Sequence, residues 1–224
     1  MKWLIRALLV ALTPAAPALA QAQAQSEDAR LAACIDRIDR DPANAYEDGL
    51  AWLGQGNRPA ARHCTALALI ALGHEDEGAA RLEQLANDKD AGSLEARAVY
   101  LAQAGNAWLL ADAPDAAVLT LTNAMKLRPR DADLRKDRAR AYVVLEKWTE
   151  AGKDLDASLE LSPGDPEALR LRAQALMRMD RLDDAWRDIV QAMRLAPKDV
   201  DVLVMRGAIR EAMRARGMKD PDGL

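Results

Sequence analysis

The sequence predicts an all-α protein, built as a solenoid of stacked helix-turn-helix repeats. Residue usage, a phrase that recurs at a fixed interval, and small residues that keep step with it all point there. Ala, Leu, Arg, Asp and Glu dominate, Phe is absent, and no run of β-branched and aromatic residues alternates at period two. These are helix formers, and no sheet is expected. "AMKLRP" (Ala124 to Pro129), "SLELSP" (Ser158 to Pro163) and "AMRLAP" (Ala192 to Pro197) set apolar residues at helical spacing and then stop on prolines 34 residues apart. Proline removes a backbone donor and clashes with the preceding turn, so each phrase ends a helix.

Beyond each proline the next helix starts. Asp131, Asp165 and Asp199 stand two residues further on, where a side-chain oxygen can cap free N–H groups. Asp133, Glu167 and Asp201 then place an acid in the first turn, which the helix dipole favours. Inside the unit, Gly105, Ala139, Ala173 and Gly207 fall in the first helix and Ala117, Ala151 and Ala185 in the second, with Leu121, Leu155 and Ile189 four residues later. Small side chains let helices approach and the large ones fill the space between pairs. Neither helix buries its apolar face alone, so the pairs must stack.

A 34-residue helix-turn-helix unit of this kind resembles the tetratricopeptide repeat family. The match in residues 98 to 131 is Leu101, Gly105, Trp108, Ala117, Leu121, Ala124 and Pro129. The next unit supplies Ala139, Tyr142, Ala151, Leu155, Ser158 and Pro163, and the third Leu169, Ala173, Leu176, Ala185, Ile189, Ala192 and Pro197. Arg135 replaces the early apolar residue of the second unit, and Leu176 stands where an aromatic is usual. The resemblance implies a right-handed α-solenoid with three repeats over 93–197. Residues 198–216 are expected to form a capping helix, with Arg206, Arg210, Arg214 and Arg216 on its solvated outer face, followed by a polar tail, 217–224. Upstream, 21–92 is expected to hold divergent helical pairs of the same stack, and "NDKDAGS" inserts extra length before the first clear repeat.

The first residues have a different character. "MKWLIR" and "ALLVALTPAAPALA" give a basic start, a short apolar run and small residues at Ala18 and Ala20, the layout of a secretory signal peptide over 1–20. Pro14 and Pro17 interrupt the run, which is too short to span a bilayer. The expectation is an exported protein, periplasmic or secreted, with no membrane span after cleavage. Loss of Lys2 and Arg6 would take the 31 basic residues to 29 against 35 acidic ones, a net charge of −6. An acidic chain of that kind is not a nucleic-acid binder.

Cys34 and Cys64, the only cysteines, lie on apolar helix faces of neighbouring pairs, and an even count in an oxidising compartment favours a structural disulfide over two free core thiols. His63 and His74 read as solvated groove and turn residues, since no spacing offers the three or four converging ligands that a zinc site needs. The acidic turns lack the alternating oxygen ligands of a calcium loop. No nucleophile elbow, phosphate loop or haem attachment motif is present. Neither catalysis, nor a metal, nor a cofactor is expected.

Binding is expected instead on the concave face that the family's first helices form. Carrying over its groove positions gives Gln103, Asn106, Lys136, Arg140, Arg170 and Gln174, long donors suited to peptide carbonyls or carboxylates; they could equally pair with Asp133, Asp137 and Glu167 nearby. The family's carboxylate clamp would fall on Ala102, Asn106, Asp137, Glu167 and Leu171, of which only Asn106 matches, so recognition of chaperone tails is not expected. The resemblance therefore implies a non-enzymatic scaffold for a peptide or partner subunit. The alternative is a structural, self-associating protein with an idle groove, suggested by Trp52 and the apolar run Leu67 to Leu72.

Overall fold

The computed structural model describes residues 16–219; residues 1–15 of the expected signal peptide and 220–224 of the expected tail lie outside them. Eleven helices fill the described residues, and no strand occurs among them. They are α1 Ala16–Ile38, α2 Pro42–Leu53, α3 Pro59–Ala71, α4 Glu75–Asn87, α5 Leu94–Leu110, α6 Pro114–Leu127, α7 Ala132–Val144, α8 Trp148–Leu161, α9 Pro166–Arg178, α10 Leu182–Leu195 and α11 Val200–Ala215. Each packs on the next in sequence, and odd-numbered helices lie side by side as α1·α3, α5·α7, α7·α9 and α9·α11. That is an α-solenoid of stacked hairpins.

The helix boundaries are set by local chemistry. α6, α8 and α10 end at Leu127, Leu161 and Leu195, two residues before each repeated proline. The Asp131 side chain accepts from the Leu134 N–H, Asp165 from Glu167 and Ala168, and Asp199 from Asp201 and Val202. Each side chain satisfies amides that have no partner in the first turn. Within a hairpin the chain reverses through one left-handed residue: Gly73, Asp112, Glu146 and Asp180, with φ of 83°, 55°, 55° and 60°. Glycine suits that conformation best, and the three acids adopt it under the closing bonds of the turn. The N–H of the following residue reaches back to close each turn: His74 to Leu69 O, Ala113 to Trp108 O, Lys147 to Tyr142 O and Arg181 to Leu176 O.

Packing repeats with the same period. Leu82, Leu121, Leu155 and Ile189 occupy equivalent places on α4, α6, α8 and α10, each fully buried. Such burial contributes roughly 1.5–3 kcal/mol per side chain. The apolar clusters cross hairpin boundaries: Ala104 of α5 closes over Ala66 and Leu82, and Leu134 and Ala141 of α7 close over Leu121. Each hairpin is thus a lid on its predecessor, as the repeat pattern requires.

At the N-terminal end Cys34 and Cys64 are joined, with Cα atoms 6.0 Å apart, so that the disulfide ties α1 to α3. The insertion 88–93 is organised by arginine: Arg97 donates to Ala86 O at 3.0 Å and to Asp88 O at 2.8 Å. Arg62 of α3 pairs with Asp88 and Asp90.

Two surface expectations change. Trp52 is only 2% exposed, packed among Ala61, Cys64 and Leu31 with Arg30 stacked 4.4 Å from its ring. Of the Leu67 to Leu72 run, only Ala71 and Leu72 are exposed. That N-terminal apolar surface is inside the stack, which removes the reason for self-association through it. On α11, Arg206 and Arg210 are half-buried, Arg206 lying 5.4 Å over the Trp186 ring, while Val200, Leu203 and Val204 face outward. The aliphatic stems and flat guanidinium of arginine make good packing surface, so arginines lie inward where aliphatic residues were expected.

The tight places are specific. A Cβ on Gly78 would sit 2.5 Å from Ile70 Cγ1 and 2.8 Å from the Ala66 carbonyl oxygen, whereas one on Gly207 meets nothing within 4 Å. Gly78→Ala should therefore destabilise by about 1–3 kcal/mol, and Gly207→Ala should stabilise by about 0.5–1 kcal/mol through helix propensity. Urea unfolding of the two variants gives both signs.

Candidate functional site

The residues expected to bind lie on α5, α7 and α9, and charge brings several of their side chains together. Asn106 Nδ2 donates to Asp137 Oδ2 at 3.0 Å, and Arg140 Nη1 donates to Asp137 Oδ1 at 3.0 Å and to Asn106 Oδ1 at 3.2 Å. The other guanidinium arm, Nη2, donates to Glu167 Oε1 at 2.8 Å. Three successive odd helices are linked in this way. Lys136 adds a second link, with Nζ 2.6 Å from Asp165 Oδ2, 3.2 Å from Asp133 Oδ1 and 3.5 Å from Glu167 Oε2.

Burial decides how these groups titrate. It pushes the Asp137 carboxyl up, and the Asn106 hydrogen bond and the Arg140 charge only partly oppose it. At Asp165 burial acts in the same direction but loses: Lys136 and the two capped backbone amides hold that carboxyl below the usual carboxylate range. Lys136 resists burial with three acids around it and is raised. A buried carboxylate between donors gains more from each charge-assisted bond than an exposed one does.

Two expected residues stand outside this network. Arg170 and Gln174 are half-buried on α9, one repeat beyond Lys136 and Arg140, and have no hydrogen bond or ion pair to a described residue. Gln103 belongs to another contact, its Oε1 lying 2.6 Å from His63 Nε2 of α3. His63 is 5% exposed and packs edge-on to Tyr100, with ring centroids 4.8 Å apart. The expectation of a solvated His63 is therefore wrong, because Tyr100 and Gln103 of α5 close over α3 where the insertion separates the two helices. His74 is exposed at the start of α4.

The most regular polar feature is one that the sequence reading passed over. Arg138 on α7 grips Asp154 on α8 with Nε and Nη2, both at 2.7 Å, and Arg172 on α9 grips Asp188 on α10 at 2.7 and 2.8 Å. Two like pairs one repeat apart were a readable signal. They are structural bonds within a hairpin, and leaving one partner alone at such a site costs about 3–5 kcal/mol.

A cleft of about 390 Å³ lies among α8, α9 and α10, lined by Thr149, Lys153, Asp156 and Arg172. Another of about 510 Å³ is lined by Arg62, Arg81, Asp88 and Asp90. Neither reaches Lys136 or Arg140. Among the described residues no three His, Cys, Asp or Glu side chains converge as metal ligands, and no helix is long and apolar enough to cross a membrane.

Comparison with known proteins agrees with this geometry. Residues 106–175 match the family model of the tetratricopeptide repeat, the stretch that carries the network. Among solved structures, a thermophilic tetratricopeptide protein of Thermus thermophilus is 22% identical with a TM-score of 0.58, covering 82% of this chain and 98% of its own. MamA from Desulfovibrio magneticus, residues 41 to the end, is 17% identical with a TM-score of 0.63, covering 72% of this chain and 89% of its own. The first tetratricopeptide domain of Spaghetti (RPAP3), solved with the HSP90 peptide SRMEEVD bound, is 25% identical with a TM-score of 0.50 over 52% of this chain and 93% of its own. No curated protein matches the chain in sequence. The fold class these comparisons define is the tetratricopeptide solenoid.

His63 gives the junction of α3 and α5 a pH dependence. Burial pushes its imidazole below the ordinary value, against the upward pull of the Gln103 bond. An unfolded chain takes up a proton as pH falls through about 6.5, where the folded chain does not. The unfolded state binds more protons in that interval, so stability is full above it and falls as the medium is acidified. Thermal unfolding should show a lower midpoint at about pH 5.5 than at about pH 7.5, and His63→Gln should shrink that difference.

Proposed function

We propose that this chain is a non-enzymatic protein-binding scaffold whose odd-helix face holds a segment of a partner protein. The observation that carries the proposal is the Asn106–Asp137–Arg140–Glu167 network, which fixes three odd helices in register and leaves Arg170 and Gln174 beside it with unused donors. Complementarity to an ordered polar surface of this kind is how a repeat array recognises a chain. The peptide held by the first tetratricopeptide domain of Spaghetti supports the class of ligand.

The acids narrow the chemistry. Asp137 and Glu167 already occupy Arg140, and Leu171 is buried, so a terminal carboxylate arriving at the family's clamp positions meets like charge. Arg170 and Gln174 suit backbone carbonyls or a single side-chain acid. Exposed Leu110 and Val144, one repeat apart at the ends of α5 and α7, add apolar contact. An internal segment with mixed polar and apolar residues fits better than an acidic tail. The basic, apolar and small-residue order of residues 1–20 supports export, which would place the encounter in the periplasm or outside the cell.

A photo-crosslinking amino acid placed at Arg170 or Gln174 should capture discrete partners from intact cells, and the same probe at exposed Glu160 on α8 should not. Arg170→Glu should abolish the adduct formed from position 174. Equal capture from position 160, or adducts unchanged by Arg170→Glu, would rule out the groove as the binding surface.

A further inference from the structure

Among the described residues, α11 carries the next docking position with nothing packed over it. In the α5–α6 and α9–α10 hairpins the site is a large aliphatic residue and a small one four residues later on the odd helix, covered by the even helix. On α9 these are Leu169, 1% exposed, and Ala173, fully buried, closed over by α10. On α5 they are Leu101 and Gly105, where a Cβ on Gly105 would lie 2.5 Å from Leu121 of α6. α11 repeats the pair as Leu203 and Gly207. Here Leu203 is 44% exposed and a Cβ on Gly207 has nothing within 4 Å. Val200 and Val204 beside them are 69% and 66% exposed. Leu203 and Gly207 thus stand exposed in the register of an interface the chain makes repeatedly, with Val200 and Val204 flanking them.

We infer that the exposed face of α11 is a second binding site, for an amphipathic helix of a partner protein that adds itself to the stack in the place of an even-numbered helix. The internal even helices state the chemistry it needs. α8 buries Ala151, Asp154, Leu155 and Ser158, and α10 buries Ala185, Asp188, Ile189 and Ala192, with Asp154 bound to α7 and Asp188 to α9. The complement is a helix reading small, acid, large aliphatic and small at offsets of three, one and three. Its large side chain fills the hollow over Gly207, as Leu121 fills the one over Gly105, and its small residues allow the close approach. Arg206 stands one repeat beyond Arg138 and Arg172, which hold Asp154 and Asp188, and lies over the Trp186 ring. Leu203 and Gly207 lie off the groove row of Lys136 and Arg170, which Val204 continues on α11.

The test uses the full chain and a fluorescent peptide of the α10 sequence, residues 182–195, stapled on its solvent side because an isolated helix of that length is marginal. Anisotropy should show saturable one-to-one binding. Leu203→Glu and Gly207→Met, both at exposed positions, should each weaken it roughly tenfold or more while circular dichroism of the chain stays unchanged. No saturation up to about millimolar peptide overturns the inference. So does binding that survives both chain variants, since the peptide is then held elsewhere. Sedimentation showing that the chain dimerises, and that Leu203→Glu alone abolishes the dimer, would give the face to a second copy and overturn it equally.

Discussion

The structure depends on one constraint: an odd helix and the even helix after it must come close enough for a large aliphatic side chain to lie against a residue with almost no side chain. Leu121 against Gly105 shows the limit, because a single added methyl carbon would overlap it. Interiors at this density have no slack, so the contact fixes separation and angle together. Its recurrence along the stack orients the next pair, and the row of odd helices is a consequence. Asp caps and left-handed turns set where each helix begins and ends; they do not set how the pairs lean.

Charge then works inside a frame that packing has made. Arg138 and Arg172 bind Asp154 and Asp188 within their own hairpins, while Arg140, Lys136 and a second arm of Arg172, on Asp156, bind carboxylates of a neighbouring hairpin. The first kind holds a hairpin together and the second holds hairpins in register. A partner at the proposed odd-helix site would meet a surface whose strongest donors are engaged, so selectivity would come from the residues left over and from the acids that repel. The site inferred on α11 would work differently, through apolar burial in a register the chain has already used.

Much of this was legible in the sequence, for a physical reason. A 34-residue period in proline, aspartate and small residues is the direct image of the helix ends and the close contacts, and α5 to α10 follow it. The six residues expected at the groove lie on α5, α7 and α9, but their partners were not assigned, because whether Arg140 meets a ligand or Asp137 depends on distances between helices that no local pattern encodes. His63 failed for a related reason. Its burial comes from Tyr100 and Gln103, about forty positions away, at a junction whose spacing the 88–93 insertion alters. Arg206 was misread, since charge suggested an outer face where packing put aliphatic residues such as Val204. The Arg138–Asp154 and Arg172–Asp188 pairs were readable from their spacing alone.

Native-state hydrogen exchange, resolved by helix, tests the stacking of hairpins most directly. A stack in which each hairpin is stabilised only by its neighbours must open in steps. Protection should then be graded, highest in α5 to α8, whose hairpins have a hairpin on each side, and falling toward α11. A single opening free energy shared by all helices would mean one indivisible core, and would contradict it.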